Sequence, residues 1–189
     1  KQMDIIQNDN AELGLVYGQM LVHSEDSETK FGWSRRMLLY TKKTRMKTLP
    51  EGQIFNQLLQ INFIPLLTAI FKRDLYDLVG RISEHLEFAE DYDLFLKLSY
   101  VTKVRAVQSV VALYRVHDSN LSLNKQERDF EESLEIISSY LPSRNAARAI
   151  RVHHTVRAIQ EIRNQDLCPG LSRFIIYGSF GSLLSLFQS

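Results

Sequence analysis

A single cysteine, Cys168, is all that the chain contains. This excludes a disulfide framework and a cysteine-based zinc site, and it points to a reducing compartment. An excess of charge of one sign is also missing. The 23 Lys and Arg residues oppose 22 Asp and Glu, leaving a formal net charge of +1. No global field therefore selects nucleic acid or an acidic surface. No apolar run reaches the ~18 residues that a membrane span needs. Residues 171–188 come nearest, and serine and glycine interrupt them. Residues 1–10 are polar and helical in pattern, unlike the apolar stretch of a signal peptide. The sequence shows no Gly-rich phosphate loop, nucleophile elbow or Ser-His-Asp arrangement. His153-His154 lacks the i, i+4 spacing of a two-histidine metal face, and Cys168 has no partnering motif.

What is present is an ordinary globular balance. With 44% hydrophobic and 24% charged residues over 189 positions, the chain suits one domain, or one and a half. Residues 1–10 read as the last turns of a helix. Leu13-Gly14-Leu15-Val16-Tyr17-Gly18 is a short apolar run bounded by turn residues, a buried strand that Met20 to His23 continue or pair with. Residues 24–30 form a polar loop. Residues 35–47, with Lys42, Lys43, Arg45 and Lys47, read as an exposed basic excursion, its charge run a solvated face or an attractor of anions. Pro50 opens a helix predicted from Glu51 through Phe55, Leu58 and Leu59. A second buried strand is predicted over residues 66–71. A short helix over residues 73–79 ends at Gly80.

Residues 89–100 form a helix with Leu94, Phe95 and Leu98 on one face. Two valine-rich strands follow, at residues 104–107 and 110–116. From Lys125 the pattern is helical only. The predicted fold class is thus α/β to about Ser122, with a helical tail over residues 123–189. The boundary lies in the polar stretch from His117 to Ser122.

The chemistry concentrates in Ala89-Glu90-Asp91-Tyr92-Asp93-Leu94, with three carboxylates in four residues at a helix start. Alone, such a cluster is N-terminal acid enrichment that complements the helix dipole. Its surroundings narrow the reading. Thr68-Ala69-Ile70-Phe71-Lys72-Arg73 comes first, then Leu78-Val79-Gly80, then residues 90–98. Ala112-Leu113-Tyr114-Arg115-Val116-His117 and Asn120-Leu121-Ser122 close the series. This order resembles the C-terminal half of glycosyltransferase family 2, the large inverting group of GT-A fold. Leu15-Val16-Tyr17-Gly18 is similar to that family's strand after its metal-binding acidic motif. The resemblance covers roughly residues 1–122.

The resemblance implies a GT-A portion at residues 1–122 and a role for each site residue. Asp91 is the general base that takes the proton from the acceptor hydroxyl, which needs an ionised carboxylate held close to it. Glu90 positions the acceptor. Asp93 has a structural or capping role. His117 contacts a divalent metal or the donor diphosphate, or is a loop histidine bound to backbone. Arg115 pairs with the diphosphate and alternates with His117 along a strand. The implied cofactor is Mn²⁺ or Mg²⁺. The implied partners are a nucleotide-sugar donor and a glycan or lipid-linked acceptor, with no nucleic acid. The family's Asp-x-Asp does not occur before Leu15. The chain therefore reads as the acceptor-side half of such an enzyme, inactive in transfer without the donor half. The other reading is a truncated or degenerate transferase that serves as an interaction or oligomerisation module. The resemblance places the protein in the cytoplasm or peripheral to the inner face of a membrane.

In the tail, Phe130, Leu134, Ile137 and Leu141 form one apolar stripe. Arg144, Arg148 and Arg151 share a helix face. The last helix sets Ile176, Tyr177, Phe180, Leu183, Leu184 and Phe187 on one side, with Ser172, Gly178, Ser179 and Ser182 roughly opposite. Two roles fit this pattern: packing against the catalytic part or a second subunit, or peripheral contact with a membrane.

Overall fold

The computed structural model describes residues 2–8, 12–24, 38–39, 48–116, 126–163 and 167–177. The fold is mixed α/β followed by helices. Contacts divide the chain into two units, residues 1–55 with 63–129, and residues 56–62 with 130–189.

Strand β1 (Leu13–Ser24) is the spine of the first unit. Leu13, Leu15, Val16, Tyr17 and Met20 are all buried. Consecutive burial of this kind marks a strand covered on both faces. On one edge β1 runs parallel to β4 (Lys103–Val116), from Leu13 opposite Lys103 to Ser24 opposite Val116. On its other edge β1 pairs antiparallel with two short strands. β3 (Ile70–Phe71) lies opposite Val16 and Leu15, and β2 (Leu38–Leu39) opposite Val22 and Leu21. Helix α1 (Gln2–Asn8) buries Ile6 against Leu13, Val16 and Val107. Helix α4 (Glu90–Val101) buries Tyr92, Leu94, Phe95, Leu96 and Leu98. At the junction of α4 with β4, the Thr102 hydroxyl and the Lys103 N–H both donate to the Glu12 carbonyl, fixing where β4 starts beside β1.

The structure corrects three expectations in this unit. The helix predicted from Glu51 starts instead at Phe55, as the single turn α2 (Phe55–Leu58). Gly52 has φ +89 and pairs with Val104, its N–H donating at 2.7 Å and its carbonyl accepting at 2.9 Å. That left-handed backbone cannot continue a right-handed helix, and the bridge to β4 supplies hydrogen bonds in its place. The strand predicted over 66–71 is reduced to Ile70–Phe71. Before it, Leu66–Thr68 form a 3₁₀ turn with Leu66 and Leu67 exposed, and the Thr68 hydroxyl donates to the Pro65 carbonyl at 2.8 Å. The two strands predicted at 104–107 and 110–116 are one. Between Gly18–Val107 and Gln19–Val110 the ladder skips Gln108 and Ser109. This bulge frees the Gln108 amide to clamp the Leu49 backbone, accepting from its N–H at 2.9 Å and donating to its carbonyl at 3.0 Å.

In the second unit, α5 (Gln126–Ser138), α6 (Arg144–Arg163) and α7 (Leu167–Tyr177) account for the helical pattern. Residues 56–62 belong with them, and the Asn145 amide donates to the Asn56 side-chain oxygen at 2.8 Å. The stripe of Phe130, Leu134, Ile137 and Leu141 is cut short, because α5 ends at Ser138 and Leu141 is exposed; Ile136 and Ile137 are buried. Small residues let α6 and α7 approach. A Cβ on Gly170 would stand 2.7 Å from the Ile162 side chain and 3.0 Å from the Ala158 carbonyl.

A polar and aromatic cluster locks this pair. Buried Glu161 accepts from Arg157 at 3.0 Å and from Arg173 at 3.2 Å. His154 stacks on Tyr177 with centroids 3.8 Å apart, and Phe130 meets the His154 ring edge-on at 5.3 Å. Arg157 and Arg173 both lie over the Phe130 ring. Tyr177 therefore turns inward while Ile176 is 70% exposed, so the two do not share a side as the pattern of the last helix suggested. Residues 25–30, 40–47, 117–125 and 178–189, including the polar loop, most of the basic excursion and the end of the last helix, lie outside the described residues.

Candidate functional site

The three carboxylates of the first turn of α4 meet three different fates. Ala89 starts the helix without a side-chain cap, its carbonyl accepting from the Asp93 N–H at 3.0 Å. The acids of this turn supply the negative charge that favours a helix N-terminus.

Asp93 is turned inward and buried. Its carboxylate accepts from the Ser83 hydroxyl at 2.5 Å and pairs with the Lys97 ammonium at 2.5 Å. Lys97 also donates to the Ser83 hydroxyl at 3.0 Å and to the Arg81 carbonyl at 3.4 Å. Asp93 and Lys97 stand at i, i+4 with the acid N-terminal, the favourable order. The triad ties α4 to the connection that precedes it. That connection leaves α3 (Arg73–Leu78) through Gly80 at φ +89 and Arg81 at φ +64. The Arg81 N–H donates back to the Tyr76 carbonyl at 3.0 Å, and its guanidinium pairs with Asp77 at 2.8 Å. A reversal of two successive left-handed residues is thereby pinned at both ends.

Glu90 is half-buried, and its Oε2 has neither solvent contact nor a hydrogen-bond donor among the described residues. A sheltered carboxylate oxygen without a donor is costly, since the acceptor has lost its water. Asp91, between the two, is half-buried.

The remaining predicted site residues lie elsewhere. Arg115 is near the end of β4, opposite His23 in the parallel ladder, with its side chain exposed. His117, expected as a metal or diphosphate contact, lies outside the described residues. Among the described residues no group of three or more His, Cys, Asp or Glu side chains could hold a metal ion. A cleft of about 470 Å³ opens at the N-terminal ends of β1 and β4, lined by Glu12, Glu51, Gly52, Lys103 and Arg105 among others. It contains none of the predicted site residues.

Ser83 and Lys97 are the functional neighbours that sequence reading missed. The i, i+4 spacing of Asp93 and Lys97 signalled one of them, but nothing local announced that Ser83, ten residues upstream, would complete the set. No protein-family model matches the chain, and no curated protein matches it.

Proposed function

We propose that the chain is the acceptor-side, catalytic-base part of an inverting, nucleotide-sugar-dependent glycosyltransferase of GT-A type, with Asp91 as the base. The sorting of the carboxylates on α4 carries this reading. Asp93 is committed to Ser83 and Lys97 and anchors the turn, which sets Glu90 and Asp91, both half-buried, at the N-terminus of α4. Glu90, whose Oε2 has no donor among the described residues, would turn its carboxylate toward the acceptor hydroxyl and orient it beside Asp91. Asp91 then accepts the hydroxyl proton as the oxygen attacks the anomeric carbon. The bond from that carbon to the nucleoside diphosphate breaks on the opposite face, so the centre inverts in one displacement. The helix N-terminus favours the ionised form that the base requires. Arg115 and His117 stay assigned to the diphosphate side by the resemblance alone.

The test is Asp91→Asn in the enzyme that carries this segment. Turnover should fall by about 10²–10⁴-fold, the usual contribution of a positioned base, with the circular dichroism spectrum unchanged. Turnover within a few-fold of wild type would overturn the assignment. The rival reading, a non-catalytic interaction module, requires neither nucleotide nor metal. It predicts that neither a nucleoside diphosphate nor Mn²⁺ binds to that enzyme, and calorimetric titration with each decides between the two.

A further inference from the structure

Along α6, Arg144, Arg148 and Arg151 stand at i, i+4 and i+7, and all three are exposed. No carboxylate among the described residues pairs with any of them. Continuing the same stripe at helical spacing leads to Thr155, Ala158 and Ile162. Those residues carry α7: the Thr155 hydroxyl, which donates to the Arg151 carbonyl at 2.7 Å, lies 3.5 Å from the Tyr177 carbonyl, and Gly170 packs on Ala158 and Ile162. The helix α7 thus lies on the face of α6 whose other half is the arginine stripe. The outward side of α7 and the arginines therefore point in the same direction. On either flank of that outward side α7 exposes Leu171 (51%) and Ile176 (70%).

The two helices contain six arginines and one acid, Glu161, and that acid is buried between Arg157 and Arg173. No carboxylate within these helices is left to neutralise the stripe.

We infer that this face is a contact surface for an anionic phospholipid bilayer. Guanidinium groups match phosphate geometry and keep their charge at any working pH. Leu171 and Ile176 would enter the headgroup boundary while the arginines engage lipid phosphates, the division of labour of an interfacial helix. Exposed apolar side chains on α7 favour lipid over nucleic acid, which would leave Leu171 and Ile176 without a partner. No described helix is long and apolar enough to cross a membrane. The contact is independent of the transferase reading.

Vesicle flotation of the 189-residue chain tests it, with phosphatidylcholine vesicles that contain or lack phosphatidylglycerol. Binding should require phosphatidylglycerol and weaken with added salt. The variant Arg144→Gln/Arg148→Gln/Arg151→Gln should bind about a hundredfold more weakly, with an unchanged circular dichroism spectrum because all three side chains are exposed. Leu171→Ser/Ile176→Ser should weaken binding separately. Absence of binding to phosphatidylglycerol vesicles, or equal binding by the arginine variant, overturns the proposal. So does tighter binding to a homopolymeric RNA than to vesicles, or loss of a dimer rather than of vesicle binding in the arginine variant.

Discussion

His153 lies on α6 with its Nε2 out of contact with solvent, and burial pushes its pKa down from 6.5 to about 4. A hydrogen bond from the ring to the Leu59 carbonyl opposes this shift, and the neighbouring His154 adds to it. The folded state therefore keeps this ring neutral where the unfolded chain protonates it. Between pH 6.5 and about 4 the unfolded state binds more protons, so stability is full above 6.5 and is lost as pH falls toward 4. At ~1.36 kcal/mol per pH unit, that interval is worth about 3 kcal/mol. This is a large share of a typical domain's ~5–15 kcal/mol.

The perturbation is His153→Leu, and the assay is urea unfolding followed by far-ultraviolet circular dichroism at several pH values from 7 to 4. At pH 7 the variant should be slightly less stable, by about 1 kcal/mol, because the Leu59 carbonyl loses its donor. By pH 4 the order should reverse, with the variant about 2 kcal/mol more stable than wild type by the same two estimates. Carboxylates titrate over this range as well, but they do so in both proteins, and the difference isolates the histidine. Stability curves that run parallel from pH 7 to 4 would refute the reasoning.

Substitutions in the first unit test its packing. Asp93→Ala removes the acceptor for Ser83 and the partner of Lys97, and should lower stability by about 2 kcal/mol in denaturant unfolding. Gly14→Ala should cost about 1–3 kcal/mol, since the new Cβ would stand 2.7 Å from the Thr102 hydroxyl, which is held by the Glu12 carbonyl. Gly18→Ala, whose Cβ would stand 2.6 Å from a Val111 methyl against a still closer approach to Leu75 at Gly14, should cost less, and thermal unfolding of the two variants checks the order.

Patterns with strong local causes were legible in the sequence. Leu13 to Tyr17 read as a buried strand because an apolar run between turn residues has few other places to go. The helices around Arg73 and Ala89 followed from amphipathic spacing and from Gly80, whose φ of +89 ends the first of them. A structural or capping role for Asp93 was expected, and its spacing to Lys97 is visible in the sequence. The arginine stripe of α6 was likewise readable from its i, i+4, i+7 spacing.

Tertiary structure decided what depends on distant partners. Pro50-Glu51 has the local chemistry of a helix start, but Gly52 spends its backbone hydrogen bonds on Val104, more than fifty residues away, and the helix waits until Phe55. Gln108 and Ser109 looked like a break between strands. Only pairing with β1 shows a bulge, because a strand's continuity resides in its neighbour's hydrogen bonds and not in its own side chains. Which carboxylate of Glu90, Asp91 and Asp93 turns inward was likewise settled by Ser83 and the reversal at Gly80 and Arg81. The sequence determined which segments are apolar, amphipathic or charged, because those preferences act within a turn or two of chain. The fold determined which of them meet, because burial and hydrogen bonding are satisfied between segments whose separation along the chain carries no local signal.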